Sequence, residues 1–291
     1  MKNIALFEND GKPDAIKYAE YTAKKLNSLG AEVYARRRLL ENFDSETAAL
    51  VKELDLNEFE KHADVVVSFG GDGTMLTAVH NMLNTDVPIM GINVGKLGFL
   101  AEFSIERLDE SLKNLVNGEY RVVDRTCLTT KIEDSEYYAL NDFVIEKRDI
   151  SQMITVKTYS DDHYVGDYTG DGIIISTPTG STAYSLSCDG PIIAPSTDVL
   201  CITPISPHSL TLRPLVIPDR SEVRIEVQSH DRHAILVADG KVKRTLKKGQ
   251  DVSIRLSESK VKLIKPSDTS YYDVLRNKLL WGANAFNNKQ V

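Results

Sequence analysis

The sequence predicts an α/β domain followed by an all-β domain, with a final helix that returns to the first domain. Strand and helix patterns alternate over about the first 120 residues, whereas two-residue alternation of apolar side chains dominates most of the remainder. A helical pattern reappears at Tyr271–Trp281. We therefore expect an open, parallel, Rossmann-like sheet at 1–122, completed by 268–291, and an all-β layered or sandwich domain at 123–267.

The first domain alternates short apolar runs with segments of helical spacing. The run Val65–Val67 is unbroken, which fits a parallel strand that is covered on both faces. Pro13 suits the first turn of a helix, and Gly30 is a suitable helix stop. The predicted strands are Ile4–Phe7, Ala31–Ala35, Asp64–Phe69 and Val87–Ile92. The predicted helices cover 13–29, 45–61, 74–83 and 105–116.

The second domain consists of alternating segments that turn residues separate at regular intervals. Such spacing is typical of layered all-β folds, in which each strand turns one face to the core. The predicted strands are Thr126–Ile132, Tyr137–Glu146, Ile154–Tyr159, Gly172–Ile175, Val223–Val227, Ala234–Val237, Val252–Leu256 and Val261–Ile264.

Composition and charge restrict the partners. The 291 residues are 42% apolar and 26% charged, an ordinary globular composition, and the formal net charge is −7. Because binders of nucleic acid or anionic membranes are usually basic, we expect neither partner. No apolar run approaches the length of a membrane span, and the N-terminus lacks a signal-peptide core. Cys127, Cys188 and Cys201 form no Cys-x-x-Cys pair, which predicts reduced thiols and a cytoplasmic protein.

A glycine-rich loop, Gly70-Gly71-Asp72-Gly73-Thr74, lies between an apolar strand and a predicted helix. Glycines let a ligand approach the backbone, and the first N–H groups of a helix favour phosphate. Asp72 would repel phosphate, so its carboxylate indicates a neighbouring hydroxyl or metal ion. The alternative is a tight strand-to-helix turn in which Asp72 caps the helix. The loop fits neither the Rossmann Gly-x-Gly-x-x-Gly pattern nor a Walker A loop.

A second glycine-spaced segment, Gly91–Leu100, follows the next predicted strand. Parallel strands end at the same edge of a sheet, so this segment and the first loop are expected to form opposite walls of one crevice. The alternative is a flexible connection between a strand and a helix.

Asn141 and Asp142 stand side by side within an alternating strand pattern, although both are poor strand formers. One interpretation is a bulge or a hairpin edge. The functional interpretation is recognition of a vicinal diol, since a carboxylate accepts hydrogen bonds from both hydroxyls and the neighbouring amide donates one.

The segment Gly170–Ser187 runs from a buried strand directly into a hydroxyl-rich turn. Hydroxyls and exposed backbone amides at such a turn suit the edge of a purine base, and Tyr184 can pack against a flat ring. The alternative is a serine- and threonine-rich turn whose hydroxyls only cap the backbone.

Taken together, these motifs resemble the NAD kinase family over essentially the whole chain. The resemblance is carried by Gly70-Gly71-Asp72-Gly73, Asn141-Asp142, Gly170–Ser187, Pro207-His208-Ser209-Leu210 with Arg213-Pro214-Leu215, and Asp239-Gly240. The first motif also occurs in diacylglycerol-type lipid kinases and phosphofructokinases, whereas the Gly170–Ser187 block is much more specific. The resemblance implies transfer of phosphate from ATP to the adenosine-ribose 2′-hydroxyl of NAD, giving NADP. It leaves open inorganic polyphosphate as a second donor.

The same resemblance implies roles for individual residues. Asp72 would be the catalytic proton acceptor, and Gly73 would line the phosphate-binding loop. Asn141 and Asp142 would hold NAD, and its nucleoside part would be enclosed by Asp171, Thr182, Ala183, Tyr184, Ser185, Leu186 and Ser187. A divalent cation, usually Mg²⁺, is implied without assigned protein ligands, as is a homo-oligomer, either a tetramer or a dimer. No role is assigned to Thr77, Thr169, His208 or Lys241.

Two other functions stay open at this point. The first is an NAD(P)-responsive binding or regulatory protein that uses the same pocket without turnover. Asp72 favours the enzyme over this alternative, because a sensor needs no carboxylate at the hydroxyl. The second is a lipid kinase that shares the glycine loop. The turn Thr179–Ser187 and the absence of an obvious membrane-binding face disfavour that alternative.

Overall fold

The computed structural model describes residues 2–8, 12–95, 98–149, 152–229 and 234–281, and these residues form two compact units. The first unit comprises 1–124 and 261–291, and the second comprises 125–260. The sequence-based boundaries lie at 122/123 and 267/268, so the structure assigns a few more residues to the first unit at both junctions. Residues 282–291 of the expected first domain lie outside the described residues.

The first unit is an α/β unit in which helices connect parallel strands. Its strands are β1 (Asn3–Phe7), β2 (Glu32–Ala35), β3 (Val51–Glu53), β4 (Val65–Gly70), β5 (Ile89–Asn93) and β6 (Phe103–Ser104). Its helices are α1 (Pro13–Ser28), α2 (Arg37–Leu40), α3 (Ser45–Ala48), α4 (Phe59–His62), α5 (Asp72–Met82) and α6 (Leu108–Asn117). The strands pair in parallel in the order β3-β2-β1-β4-β5. This is the strand order of a Rossmann-like sheet, as the sequence predicts.

Local sequence explains the principal elements of this unit. The β4 run buries residues Val65, Val66, Val67 and Phe69 almost completely, as expected for a strand covered on both faces. Helix α1 begins at Pro13, whose missing N–H costs nothing in the first turn. Its face towards the core is formed by alanines and Leu26, which lets the helix pack closely on the sheet.

The predicted helix over 45–61 is wrong. The structure has the short helix α3, the edge strand β3, a 3₁₀ turn at Leu56–Glu58 and the short helix α4 in its place. Asp44 caps α3 by accepting a hydrogen bond from the Thr47 N–H at 2.7 Å. Val51 then pairs with Val33 at the edge of the sheet. Sheet pairing, a tertiary contact, has overridden the local helical spacing.

The second unit is all-β apart from short helical turns. Its strands are β7 (Arg121–Ile132), β8 (Ser135–Ala139), β9 (Asp142–Lys147), β10 (Ile154–Ser160), β11 (His163–Gly170), β12 (Gly172–Ser176), β13 (Val199–Ile205), β14 (Leu215–Pro218), β15 (Val223–Val227), β16 (Ala234–Ala238), β17 (Lys241–Leu246) and β18 (Asp251–Lys265). A 3₁₀ turn at Thr179–Thr182 precedes the helix α7 (Tyr184–Ser187). One antiparallel layer has the order β14-β13-β12-β9-β16-β17. Apolar side chains of this layer and of β10 and β15 share one core, which confirms the layered prediction.

Two strand predictions in the second half of the chain need correction. The predicted strand Tyr137–Glu146 is two strands, β8 and β9, which end and begin on either side of Leu140 and Asn141. The predicted strands Val252–Leu256 and Val261–Ile264 are one strand, β18. Its first residues pair with β15 in the second unit, and Leu263 and Ile264 pair in parallel with β5 in the first.

The final helix, α8 (Tyr271–Leu279), belongs to the first unit, as predicted. Ser270 and Asp273 form a capping box, in which the Ser270 N–H donates to Asp273 at 2.9 Å. Val274 and Leu275 are buried, so the helix is attached through one apolar face. Among the described residues, none of the helices is long and apolar enough to cross a membrane.

Candidate functional site

The first unit has a crevice at the point where the strand order of its sheet reverses direction, the topological switch point. The chain moves from β1 to β2 on one side of the sheet and from β4 to β5 on the other, so the loops after β1 and β4 diverge. A cavity of about 370 Å³ lies here. Its lining comprises Lys12–Ala15, Gly70, Gly71 and Asn93–Gly95.

This cavity confirms that the two glycine-spaced segments line one crevice. The third wall, the start of α1 at Lys12–Ala15, is absent from the sequence-based expectation. The strand order could have indicated it, since the loop after β1 always borders such a reversal. Lys96 and Leu97, in the middle of the second segment, lie outside the described residues.

The glycine loop carries the features of a phosphate site. Strand β4 ends at Gly70 and α5 begins at Asp72, with Gly71 at the N-cap position and no side chain capping the helix. The Thr74 N–H donates to the Gly71 carbonyl at 3.0 Å, so the N–H groups of Asp72 and Gly73 are the ones that can meet an anion at the positive end of the helix dipole. A Cβ at Gly71 or Gly73 would meet no protein atom within 4 Å. Packing does not require glycine at these two positions, which favours the close approach of a ligand as the reason.

Asp72 does not cap its helix, so the capping alternative for this residue is wrong. Its carboxylate instead accepts three backbone N–H hydrogen bonds from the loop after β5. Phe99 donates to Oδ2 at 2.9 Å, while Leu100 and Ala101 donate to Oδ1 at 3.0 and 3.1 Å. Gly98 lies so close that a Cβ there would be 1.9 Å from Asp72 Oδ1. The two glycine segments are thus joined through this one side chain.

In the second unit, Asn141 lies in the turn between β8 and β9, and Asp142 is the first residue of β9. Asp239 holds this turn, because its carboxylate accepts the backbone N–H groups of Leu140 at 2.8 Å, Asn141 at 2.8 Å and Asp142 at 3.2 Å. The Asp142 carbonyl accepts the Asp239 N–H in return, at 3.1 Å. Sequence reasoning missed this role of Asp239. The Asp-Gly pair at the turn after β16 was the only available signal.

Asp142 is an unusual buried acid. Its residue is 4% exposed, and among the described residues none donates a hydrogen bond to its carboxyl group. Burial, with a smaller effect from the neighbouring Asp239 carboxylate, raises the pKa of Asp142 to about 7. The carboxyl group therefore titrates near neutral pH.

The hydroxyl-rich turn after β12 packs directly against Asn141. Thr177 Oγ1 donates to the Leu140 carbonyl at 2.7 Å, and the Thr177 N–H donates to the Asn141 carbonyl at 2.9 Å. A Cβ at Gly180 would be 2.0 Å from the Asn141 carbonyl oxygen, so only glycine allows this approach. Two motifs that are 36 residues apart in the chain therefore form one cluster.

The residues from Thr182 to Ser187 divide into buried and accessible positions. Ser185 is completely buried and its hydroxyl is 2.8 Å from that of Thr203, so its side chain is occupied by the fold. The accessible or partly accessible positions are Thr182, Ala183, Tyr184, Leu186 and Ser187. These side chains are the ones that a ligand can reach.

Burial and nearby charges both act on the Tyr184 phenol. Burial raises its pKa, and Cys188, Glu146, Asp171 and Asp142 add to that effect. Tyr184 nevertheless keeps 40% of its surface exposed, which leaves a ring face for stacking. Asp171 is paired with Lys147 through a 2.6 Å contact between Oδ1 and Nζ.

The predicted site residues thus occupy two clusters. Asp72 and Gly73 directly follow Gly70 and Gly71, which line the crevice of the first unit. Asn141, Asp142, Asp171 and the Thr182–Ser187 turn lie in the second unit, where Asp142 pairs with Ser176 at the end of β12 and Asp171 directly precedes its first residue, Gly172. Among the residues that the structure describes, no group of three or more histidine, cysteine, aspartate or glutamate side chains is arranged to hold a metal ion.

A phosphate-type loop at a sheet reversal, combined with a buried polar cluster beside an exposed tyrosine, defines a nucleotide-binding protein. The family models described as the ATP-NAD kinase N-terminal and C-terminal domains match residues 4–120 and 140–266. The NAD kinase of Bacteroides fragilis is 38% identical over 97% of this chain and 99% of its own length. That of Syntrophotalea carbinolica is 37% identical with the same coverage of both chains. The chain belongs to the NAD kinase family.

Solved structures agree with this assignment. A yeast NADH kinase complexed with NADH superposes with a TM-score of 0.88, covering 100% of this chain and 90% of that one, at 22% identity, which supports the fold alone. An NAD kinase from Archaeoglobus fulgidus in complex with ATP gives a TM-score of 0.75 at 26% identity, covering 94% of this chain and 99% of that one.

Proposed function

We propose that this chain transfers the γ-phosphate of ATP to the adenosine-ribose 2′-hydroxyl of NAD, giving NADP and ADP. Family membership over nearly the whole chain supports the reaction. The observation that carries the proposal within the molecule is the Asp72 carboxylate. It is fixed by three N–H groups, and it follows the glycine loop, which lines the crevice and is suited to phosphate.

The proposed reaction needs few covalent events from the protein. A bond forms between the ribose 2′-oxygen and the γ-phosphorus, and the bond from that phosphorus to the β,γ-bridging oxygen breaks as ADP leaves. Asp72 orients the hydroxyl and accepts its proton as the new bond develops. The backbone N–H groups beside Gly73 at the start of α5 offset negative charge on the transferring phosphoryl group. Positioning and electrostatics supply most of the catalysis in such a transfer.

We assign recognition of NAD to the cluster in the second unit. The Asn141 amide and the Asp142 carboxyl read ribose hydroxyls, and Tyr184 stacks on a flat ring. Asp171, with the backbone and accessible side chains of Thr182, Ala183, Leu186 and Ser187, encloses the nucleoside. Ser185 shapes this turn from inside, since its hydroxyl is already bonded to Thr203. A ligand hydroxyl can donate a hydrogen bond to the Asp142 carboxyl group.

A divalent cation, Mg²⁺ in the first instance, is the proposed companion of ATP. Both Asp72 carboxylate oxygens already accept N–H hydrogen bonds, and the described residues form no cluster of ligands. Mg²⁺ commonly keeps several waters and binds through substrate phosphates, which fits such a site. The cation would neutralise charge on the β- and γ-phosphates, while the protein supplies the loop that holds them.

The remaining partners are also proposals. We expect a homo-oligomer, a dimer or a tetramer, and only small-molecule nucleotides as ligands. All three cysteines are free thiols, two of them buried, which suits the reducing cytoplasm. Inorganic polyphosphate remains open as a donor alongside ATP.

The two alternative functions gain no support. The two relatives named above are NAD kinases, and the two structural neighbours are an NADH kinase and an NAD kinase. The deciding experiment incubates the purified chain with NAD, ATP and Mg²⁺ and detects NADP with a coupled assay that is blind to NAD. NADP formation supports the kinase, whereas nucleotide binding without turnover would favour a regulator.

A further inference from the structure

Lys265 is a buried cation of the first unit that contacts the loop after β5. It is the last residue of β18, directly after Leu263 and Ile264 have paired with β5. Lys265 is 3% exposed, and its ammonium lies 2.6 Å from Oε1 of Glu102, whose side chain is 11% exposed. A buried ion pair contributes little net stability compared with an apolar pair of similar volume. The other contacts of this lysine therefore bear on what it does.

The Lys265 ammonium also binds the backbone of the loop after β5. It lies 3.2 Å from the Leu100 carbonyl oxygen and 3.5 Å from that of Phe99. Both contacts are on the side of the loop opposite to Asp72, because the N–H groups of the same segment point to the Asp72 carboxylate.

Two peptide units connect the cation to the carboxylate. The Leu100 carbonyl and the Ala101 N–H form one unit, and the Phe99 carbonyl and the Leu100 N–H form the other. A peptide unit is planar, so a group that fixes its carbonyl also fixes the direction of its N–H. A cation at the carbonyl further polarises the N–H and strengthens the hydrogen bond on the far side.

We propose that Lys265 is a positioning residue for Asp72, which acts by fixing the Phe99–Ala101 peptides that hold the Asp72 carboxylate. This inference rests on the proposed function, in which Asp72 meets the hydroxyl of NAD. Loss of the ammonium does not remove the Asp72 carboxylate. It allows the Phe99–Ala101 peptides, which hold that carboxylate, to change their orientation. The residues that we assign to NAD binding lie in the second unit, so the effect should fall on the catalytic step.

The test compares a double variant with matched controls. Lys265→Met combined with Glu102→Gln removes the ammonium without leaving a buried unpaired carboxylate. Glu102→Gln alone keeps the ammonium at the two carbonyls. Lys262→Met removes the same charge three residues earlier on β18, where Lys262 pairs at the surface with Asp86.

Steady-state kinetics provide the first measurement. For the double variant we expect kcat to fall about tenfold, since a small displacement of a catalytic group is enough, while KM for NAD stays within about twofold. Glu102→Gln and Lys262→Met should keep most of the wild-type kcat. A double variant with wild-type kcat would overturn the proposal. A parallel loss of kcat, NAD affinity and melting temperature would also overturn it, because a purely structural role predicts that pattern.

Amide hydrogen exchange provides a second measurement, which does not depend on activity. In the ligand-free protein, the Phe99, Leu100 and Ala101 N–H groups should exchange faster in the double variant than in wild type or Lys262→Met. Unchanged exchange at all three positions would refute the link between Lys265 and this loop. If wild type makes no NADP, the proposed function fails, and the exchange rates still decide whether Lys265 fixes the Asp72 loop.

Discussion

Asp72 and Asp142 are aspartates of the two functional clusters, and their surroundings are opposite. Asp72 is partly exposed and accepts three backbone N–H hydrogen bonds. Asp142 is buried beside the Asp239 carboxylate, and no described residue donates to its carboxyl group. The backbone N–H groups that Asp142 could have used are those of its own turn, and Asp239 occupies them.

This difference shows how environment assigns roles to one residue type. N–H donors favour the ionised form of a carboxyl group and fix its direction, which suits a group that must meet a reacting hydroxyl. Burial next to a like charge favours the neutral form, which can both donate and accept a hydrogen bond. The catalytic role thus fits the carboxylate that N–H donors hold, and the recognition role fits the buried one.

The largest expected effect comes from Asp72→Asn. The amide cannot accept the hydroxyl proton, and its NH₂ group faces N–H donors, so NADP formation should fall about a thousandfold. The fold and the affinity for NAD should remain largely intact, as checked by circular dichroism and calorimetry. Near-normal turnover would show that Asp72 is not the catalytic carboxylate, and the proposed difference in role between Asp72 and Asp142 would then be wrong.

Asp142→Asn tests whether Asp142 is held as a buried acid, by its effect on the pH dependence of the free energy of unfolding. The pKa of Asp142 is about 7 in the folded chain and near 3.8 when unfolded, so the folded state binds this proton more tightly. The resulting stability is present below about pH 4 and is lost as the pH rises through 7, by up to about 4 kcal/mol. Urea unfolding from pH 4 to 8 should therefore give a flatter curve for the variant than for wild type.

A matched substitution checks that this result is specific. Asp149→Asn changes an exposed aspartate in the same unit and should leave the pH dependence of the free energy of unfolding as in wild type. If Asp142→Asn and wild type lose stability in parallel across this range, Asp142 is not held as a buried acid, and its proposed contrast with Asp72 fails.

Gly98→Ala changes the position of the Asp72 carboxylate without changing any polar group. The new Cβ would lie 1.9 Å from Asp72 Oδ1, so the carboxylate must move away from the loop N–H groups. We expect kcat to fall about thirtyfold, a smaller loss than removal of the carboxylate. Gly166→Ala is the control, since its Cβ would have its nearest neighbour at 4.0 Å. Equal activity of both variants would show that the Asp72 position is not critical.

The smallest effect is expected for Asn141→Ala. Loss of one side-chain amide that reads the ribose should raise the dissociation constant of NAD about tenfold. The affinity for ATP should change by less than about twofold, because we assign its phosphates to the glycine loop of the first unit. Calorimetry with NAD and with ATP measures the two affinities separately. Equal weakening of both would count against the assignment of Asn141 to NAD.

Much of this architecture follows from sequence because its causes are local. Strand β4 follows from an unbroken apolar run, and α1 from a proline in the first turn followed by regular spacing. The structure of the 45–61 region does not follow from its helical spacing, because Val51 pairs with Val33, a residue far away in the chain. The sequence likewise could not show that β18 is one strand that belongs to both units.

The order of residues alone determined the candidate site residues, the glycine loop and the family, because ordered motifs carry chemistry that needs particular residue types. Only the tertiary structure decided what each carboxyl group touches. Phe99–Ala101 hold Asp72, Asp239 holds the Asn141 turn, and Lys265 binds the loop from a strand more than 160 residues later. Hydrogen bonds act over about 3 Å, and the fold alone sets which distant groups come within that range.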